Sequence, residues 1–253
     1  MLIEERLNKI KKIIQENKSI SIESLVSKLD VSKDTIRRDL IRLEEMNVVK
    51  RTHGGAVINN RDALIFDYSQ RSEIQNPVKE RIAIKAAELI NDNSSVIFDS
   101  STTVETVIPH LSDKNILAVT NSLTNANRLA RNKKCDIKIL PGNLHKEQMF
   151  LYGSETIQKI EKYHVDYVLL GVFAISDKGL FIHTEEEGLV KRQMVMQGTT
   201  VIAVADHTKI NTTGFFKVCD LSWINYLVTD ELPESSFIQS LQDNNVELIL
   251  TNT

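Results

Sequence analysis

Residues 97–103 read Ile-Phe-Asp-Ser-Ser-Thr-Thr, an apolar run that ends in a carboxylate and four hydroxyl side chains. Hydroxyls and loop N–H groups at the start of a helix suit an anion, a phosphate above all. Far along the chain Lys191 and Lys209 offer positive charge, and Asp99 and Asp206 offer acceptors for sugar hydroxyls. Asn121, in Thr-Asn-Ser, and Gly142, in Pro-Gly-Asn, close two other apolar runs. Each residue also has a plain structural role open to it. Ser100, Ser101, Thr102 and Thr103 are all competent N-caps, and Asn121 can bond its own loop. Glu185 and Glu186 can answer a helix dipole, and Glu187 with Lys191 has the spacing of a helix-surface pair.

A second set lies near the start of the chain, where Ser32, Lys33, Thr35, Arg37 and Arg38 crowd together. Arginine bonds guanine edges or phosphates, and a hydroxyl at a helix N-terminus suits a backbone phosphate. The surrounding pattern predicts the elements that would carry them. Leu7, Ile10, Ile13 and Ile14 mark one face of a helix over 4–16. Ser21 caps a short second helix with Ile22, Leu25, Val26 and Leu29 inward, and Leu-Asp-Val-Ser makes a tight turn. Ser32 caps a third helix from Lys33 to about Met46, with Ile36, Leu40 and Leu43 as its buried stripe. Asp34, Arg38, Arg42 and Glu45 face away from that stripe. Lys33 and Arg37 flank it on one side and Thr35 on the other. Residues 47–58 predict two short strands about a glycine-bearing turn, a wing that places Arg51 and His53 at the neighbouring backbone or minor groove. A winged helix-turn-helix follows; a three-helix bundle with a solvated charged face is the plainer alternative.

Residues 58–76 lack periodicity and predict a linker. Pro77 opens a helix to about Ile90, with Ile82, Ala83, Ala86 and Leu89 on its inner face. Seven short apolar runs follow, at 95–98, 116–120, 136–140, 166–171, 199–205, 225–229 and 246–251, with helix-length segments at 103–111, 122–132, 185–197 and 234–243. Unalternating Val/Ile/Leu runs between helices predict a mostly parallel α/β sheet buried on both faces. Ligands of such sheets bind beyond the carboxyl ends of the strands. The first five ends supply 99–103, 120–122, 141–143, the Gly-Val-Phe-Ala of 171–174 and the Ala-Asp-His-Thr-Lys of 205–209, so small and hydroxyl residues gather at one edge. The expected division is a DNA-binding domain over 1–57, a linker over 58–76 and an effector and oligomerisation domain over 77–253.

Composition agrees with an ordinary globular chain: 253 residues, 42% hydrophobic, 26% charged, net charge −3. Residues 1–60 carry 12 Lys/Arg against 9 Asp/Glu, and the remainder 19 against 25, a weakly basic head on an acidic body. No apolar run approaches the roughly 18 residues of a membrane span, and the charged start is not that of a signal peptide. Cys135 and Cys219 stand apart without metal spacing and predict reduced thiols in a cytoplasmic protein. No metal and no cofactor are expected, for no zinc-spaced Cys/His set, P-loop or nucleophile elbow is present.

The stretch from Ser32 to Leu40, with Arg6, Ile10, Ile14 and the Arg-Thr-His-Gly-Gly-Ala-Val of the wing, resembles the DNA-binding signature of DeoR-type bacterial transcriptional regulators. The body is similar to their effector domain in the order of its motifs, from Lys-Glu-Arg-Ile at 79–82 to Ala-Asp-His-Thr-Lys-Ile at 205–210. That domain is itself similar to ribose-5-phosphate isomerases and coenzyme A transferases. The resemblance implies a double-stranded DNA operator and a phosphorylated sugar or related metabolite as effector. It draws the pocket from Ser100, Ser101, Thr102, Thr103, Asn121, Gly142, Lys191, Asp206 and Lys209, and Lys79 falls on a basic position of the family pattern. It implies a homo-oligomer, dimer or tetramer, and repression relieved by the effector, with activation or dual control as the alternative. Two departures stand out. The family usually has glycine where Ser101 stands, which matters if that position needs φ > 0. Phe173 and Ala174 make the loop after 166–171 more apolar than usual.

An isomerase-like enzyme with a DNA-binding head is the competing reading. Aldose–ketose isomerisation needs a base beside the substrate. The related isomerases place acids on the loop after a strand like 166–171; here the first carboxylate in that loop is Asp177. The sequence therefore predicts a sensor and not an enzyme.

Overall fold

The computed structural model describes residues 3–17, 19–45, 49–52, 54–58 and 77–251. His53 and residues 59–76 of the expected linker lie outside the described residues. The chain divides into two compact units, the division falling between the described residues 58 and 77.

In the first unit α1 (Ile3–Asn17), α2 (Ile22–Leu29) and α3 (Lys33–Glu45) precede a hairpin of β2 (Val49–Thr52) and β3 (Gly55–Ile58). A three-residue strand, β1 (Ser19–Ser21), joins β3 to make a sheet of order β1-β3-β2. The sequence reading had no place for β1, because three residues carry no period. Ser21 Oγ accepts the Ser24 N–H and starts α2, and Asp30, in the left-handed region at φ 52°, ends it. Leu7, Ile10 and Ile14 of α1 close on Leu25, on Ile36, Leu40 and Leu43 of α3, and on Val49 and Ala56 of the hairpin. Arg6 reaches the buried Asp39 through two hydrogen bonds, 2.5 and 3.1 Å, and so pins α1 to α3.

The second unit is a seven-stranded parallel sheet. Its strands in chain order are β4 (Ser94–Phe98), β5 (Ile116–Thr120), β6 (Cys135–Ile139), β9 (Val165–Gly171), β12 (Gly198–Val204), β14 (Tyr226–Thr229) and β15 (Glu247–Leu250), and they lie as β15-β14-β12-β9-β4-β5-β6. All seven apolar runs form strands, each within about two residues of its expected bounds. One face carries α4 (Pro77–Glu88), α5 (Thr102–Val107) and α6 (Leu123–Leu129), packed on Phe98, Leu169, Ile202 and Val228. The other carries α7 (Ser154–Ile160), α8 (Glu185–Gln197) and α9 (Ser235–Asp243), packed on Val168, Leu170, Val201 and Leu227. Alternate residues of β9 thus enter opposite layers, as burial on both faces requires. The edge strand β6 departs from that expectation: Asp136, Lys138 and Ile139 are exposed.

Helix α7 and two further features lay outside the sequence reading. An antiparallel hairpin, β7 (Asn143–His145) and β8 (Phe150–Tyr152), fills the stretch before α7. A small sheet of order β10-β11-β13, from Ala174–Ser176, Gly179–Ile182 and Phe216–Cys219, follows β9. Both hold strands of three or four residues, too short to show alternation. No helix among the described residues is long and apolar enough to cross a membrane.

The strand order has one consequence for function. From β4 the chain builds outward through β5 and β6, then returns to the other side of β4 with β9 and builds through β12, β14 and β15. The order reverses between β4 and β9, and a crevice opens at the carboxyl ends of such a pair. Residues 99–103 and 171–174 stand there.

Candidate functional sites: the recognition helix and the carboxyl edge of the sheet

On α3 the Ser32 Oγ accepts the Thr35 N–H at 3.2 Å and lies 2.8 Å from the Thr35 hydroxyl, so the helix begins on a hydroxyl cap. The buried stripe turns Lys33, Asp34, Arg37, Arg38 and Arg42 to solvent. Three of the expected DNA contacts are leashed by acids. Lys33 Nζ is 2.9 Å from Glu23, Arg37 is 3.3 Å from Asp34, and Arg51 Nε is 2.6 Å from Glu44. Hydrogen bonds from Lys33 and Arg51 hold the Glu23 and Glu44 carboxyls below their ordinary range. Exposed pairs of this kind contribute little, so each cation remains available to a phosphate. Arg38 makes no ion pair among the described residues.

At the carboxyl edge Asp99 is the hub. It accepts the Ser101 N–H at 2.9 Å on Oδ1 and the Gly171 N–H at 2.9 Å on Oδ2, and it pairs with the Lys191 ammonium. Lys191 also donates to the Gly171 carbonyl at 3.1 Å and lies 3.7 Å from Glu187. Asp99 and Lys191 are both almost fully buried. Two residues expected to serve a ligand separately, one as acceptor and one as cation, are therefore each other's partners, and α8 is locked to the switch point through them. Asn125 Nδ2 donates to the Asp99 carbonyl at 2.6 Å and ties α6 to the same loop.

Ser101 has φ −75° and ψ 147°, extended values open to any residue, and its Oγ caps α5 by accepting the Val104 N–H. No positive φ is needed there, and the serine carries no strain. The constrained glycine is Gly171. A Cβ on it would fall 1.8 Å from Ser101 Oγ and 2.3 Å from Ser101 Cβ. Gly171→Ala is therefore expected to destabilise the domain by about 1–3 kcal/mol. Ser101→Gly in the same chain should restore most of that, since glycine replaces a serine cap at a cost of only about a few tenths of a kcal/mol. Thermal unfolding of the parent and these two variants measures this, and a Gly171→Ala chain as stable as the parent would remove the contact.

The other expected residues are distributed along the edge. Ser100 is buried, Thr103 half-buried, and Thr102 Oγ1 accepts the Lys79 ammonium at 3.0 Å. Asn121 Nδ2 donates to the Leu151 carbonyl at 2.9 Å, its own loop's neighbour, and its buried Oδ1 has no partner among the described residues. Gly142 adopts φ 140° at the foot of the β7–β8 hairpin, where a Cβ would meet Thr156 Oγ1 at 2.2 Å. Asp206 caps the single turn 207–209 by accepting the Thr208 N–H. Lys209 is half-buried and its ammonium has no hydrogen-bond or ion-pair partner among the described residues. Phe173 rests 4.9 Å from the His183 ring, and Ala174 is buried in β10. An open depression of about 560 Å³ lies at the opposite, amino end of the strands, lined by Ser95, Leu117, Asp136 and Asp166 among others. Sheets of this kind do not bind ligands at that end.

His207 and Asp230 were missed. Asp230 follows β14 and is buried; it accepts the His207 backbone N–H at 2.7 Å and lies 2.8 Å from His207 Nδ1. Applying the strand-end rule to the sixth strand as well as the first five would have found it. Hydrogen bonding to Asp230 raises the His207 imidazole above its ordinary value. Burial pushes the Asp230 carboxyl up, but the hydrogen bonds from His207 outweigh it and leave it below its ordinary value. Glu231 stands 3.4 Å from the same ring nitrogen. The His207 ring is hydrogen-bonded to Asp230, and the three side chains form one cluster of a basic and two acidic groups. A raised imidazole value stabilises the fold fully below the ordinary value of about 6.5, and that contribution is lost as pH rises through the raised value. The melting temperature of the parent is expected to fall more steeply than that of His207→Gln between about pH 6.5 and 8.5. Parallel curves would show that the pair contributes nothing. Both cysteines are free, and burial pushes the Cys219 thiol up to about 12, which leaves it unreactive.

A winged helix-turn-helix with a cationic recognition helix, on the same chain as a parallel α/β unit with a polar crevice at its switch point, defines a DNA-binding transcriptional regulator. Residues 6–62 match the DeoR-like helix-turn-helix domain and residues 74–231 the DeoR C terminal sensor domain. The chain belongs to the DeoR family. The HTH-type transcriptional repressor GlcR of Bacillus subtilis is 42% identical over 251 residues, 99% of this chain and 97% of that protein. The glycerol-3-phosphate regulon repressor of Haemophilus influenzae is 33% identical over 249 residues, 98% of this chain and 96% of that protein. Ribose 5 phosphate isomerase A from Neisseria gonorrhoeae aligns with 55% of each chain at 17% identity and a TM-score of 0.42, a likeness that says nothing about activity.

Proposed function

We propose that the protein represses genes of carbohydrate uptake or catabolism and leaves its operator when a phosphorylated sugar binds at the carboxyl edge of the sheet. The observation that carries the reading is the hydroxyl loop Ser100–Thr103 beside the β4/β9 switch point, with Lys209 as an uncommitted cation on the same edge. The relatives' names support it: two are repressors, and one governs a glycerol-3-phosphate regulon. On this reading Ser100, Thr102, Thr103, Asn121, Gly142, Asp206 and Lys209 line the effector pocket. Asp99, Ser101, Lys191 and Lys79 hold its walls together through the contacts described above.

Residues 1–57 are then the DNA-binding domain, 58–76 the linker, and 77–253 the effector and oligomerisation domain of a cytoplasmic dimer or tetramer. Such an oligomer would set the spacing of the heads on paired half-sites. Effector and operator are coupled reciprocally: whatever loosens DNA on binding is itself bound less tightly by the DNA complex. We read the protein as non-enzymatic. Lys191 is held by Asp99, and the loop after β9 brings no carboxylate before Asp177.

Gel shifts on DNA upstream of its own gene, with and without glycerol 3-phosphate, glucose 6-phosphate and other phosphorylated sugars, test the reading. One of these compounds is expected to release the parent from DNA, and Lys209→Ala to require a higher concentration of it. Release of Lys209→Ala at unchanged concentration would sink the pocket. Turnover of ribose 5-phosphate by the pure protein would revive the enzyme.

A further inference from the structure

The His207–Asp230 pair has a geometry that goes beyond an ion pair. One buried carboxylate receives both the backbone N–H and the ring Nδ1 of the same residue, at 2.7 and 2.8 Å. Such a double tether fixes the ring's position and commits the Nδ1 proton to Asp230. The remaining nitrogen, Nε2, makes no hydrogen bond among the described residues, and the side chain is 44% exposed. The ring stands in the turn 207–209, one residue after Asp206 and two before Lys209. Asp206 is committed within that turn, to the Thr208 N–H and hydroxyl. His207 and Lys209 are therefore the two groups of the turn left to meet an incoming anion.

We propose that His207 is a second phosphate-contacting residue of the effector site, donating Nε2–H to the phosphoryl oxygens beside Lys209, with Asp230 as its positioning residue. The assignment rests on the effector reading given above and adds to it the group that recognises the phosphate. The charged groups that act on the ring are Asp206 of its own turn and Asp230 and Glu231 from the end of β14. Three nearby carboxylates favour the protonated ring, and a protonated ring carries donors on both nitrogens. A charge-assisted bond of that kind is among the stronger ones a side chain can offer a phosphate.

The test uses the full-length protein and three phosphate monoesters as probes: glycerol 3-phosphate, glucose 6-phosphate and ribose 5-phosphate. Affinity is measured by calorimetry at about pH 7 and about pH 9, a range in which a phosphate monoester, with a second ionisation near 6, is already a dianion. The parent is expected to bind the best of the three about ten-fold more weakly at the higher pH, as the ring loses its proton. His207→Ala, compared at a temperature well below its own melting point because the lost Asp230 pair lowers its stability, should bind about ten-fold more weakly at the lower pH and show no such step. Asp230→Asn should move the step toward more acid pH, an effect that lost stability alone would not produce. In ¹⁵N-histidine spectra the Nε2 resonance of His207 should shift with each bound probe. If a probe binds the parent and His207→Ala equally at both pH values, the assignment is overturned and the effector reading stands. If none of the probes binds the parent at either pH, both are overturned.

Discussion

Arg38→Ala is expected to weaken operator binding by about 1–3 kcal/mol per head, roughly 5- to 150-fold, while leaving the melting temperature of the protein unchanged. The helix that carries Arg38 is held by Ile36, Leu40 and Leu43 on its opposite side, all buried, so truncating an exposed arginine removes no packing. Arg38 has no acidic partner among the described residues to leave behind, and the loss on truncation is the loss of a DNA contact. Arg37 differs. It is leashed to Asp34 at 3.3 Å and must exchange that partner for DNA, so Arg37→Ala should have the smaller effect. Fluorescence anisotropy across a salt series separates the two roles. A phosphate contact, when deleted, lowers the salt slope by about one and weakens all sequences alike; a base contact relaxes discrimination at one position. Operator binding by Arg38→Ala at parental strength would mean that α3 does not enter the groove.

Lys191→Met is expected to cost the effector domain about 3–5 kcal/mol, which for a domain of this size lowers the melting temperature by roughly 6–20 °C. The reason is what remains. Asp99 would keep its two backbone N–H donors but lose the only cation paired with it among the described residues, and it is buried at the meeting of β4, β9 and α8. Asp99→Asn in the parent leaves the complementary fault, a buried ammonium with one carbonyl and the more distant Glu187. The double variant, Asp99→Asn with Lys191→Met, removes both charges together and should regain a large part of the loss, since a buried pair as a whole contributes little net stability. Calorimetric unfolding of the parent, the two single variants and the double variant forms a cycle. If the two single losses simply add in the double variant, the residues act independently and the lock between α8 and the switch point is not real. The cycle also bears on control: α8 carries Lys191, so a ligand that disturbs this pair has a direct mechanical route to one whole layer of the domain.

Several elements were readable from local pattern alone. Leu7, Ile10 and Ile14, then Ile36, Leu40 and Leu43, repeat at the spacing of a helical face because the side of a helix that meets a core must be apolar. The seven Val/Ile/Leu runs announced buried strands for the same reason. Ser21, Ser32 and Ser101 were legible as caps because a hydroxyl before a helix answers orphan N–H groups two or three residues on. What escaped were the pieces with too few residues to show a period: β1, the β7–β8 hairpin, the seven-residue helix α7 and the small β10-β11-β13 sheet. Ser101 shows the limit of comparing a single position. Its difference from the family pattern raised the question of a left-handed backbone, yet its φ of −75° is ordinary, and the glycine that matters stands across the crevice at 171.

The sequence by itself determined the three helices of the head, the seven strands of the large sheet and most of the helices between them, that this sheet is parallel, and that polar side chains collect at its carboxyl ends. These follow from local spacing, because burial imposes a period of 3.6 or a continuous apolar run on every element it touches. Only the tertiary structure decided who stands beside whom. Asp99 and Lys191 are 92 residues apart, and nothing in the spacing of either says that β9 returns to lie against β4 and brings α8 over their shared end. His207 and Asp230 meet because β12 and β14 are neighbours, a fact of strand order. Strand order is settled by burying all seven strands at once under right-handed connections, a condition on the whole chain that no short stretch contains.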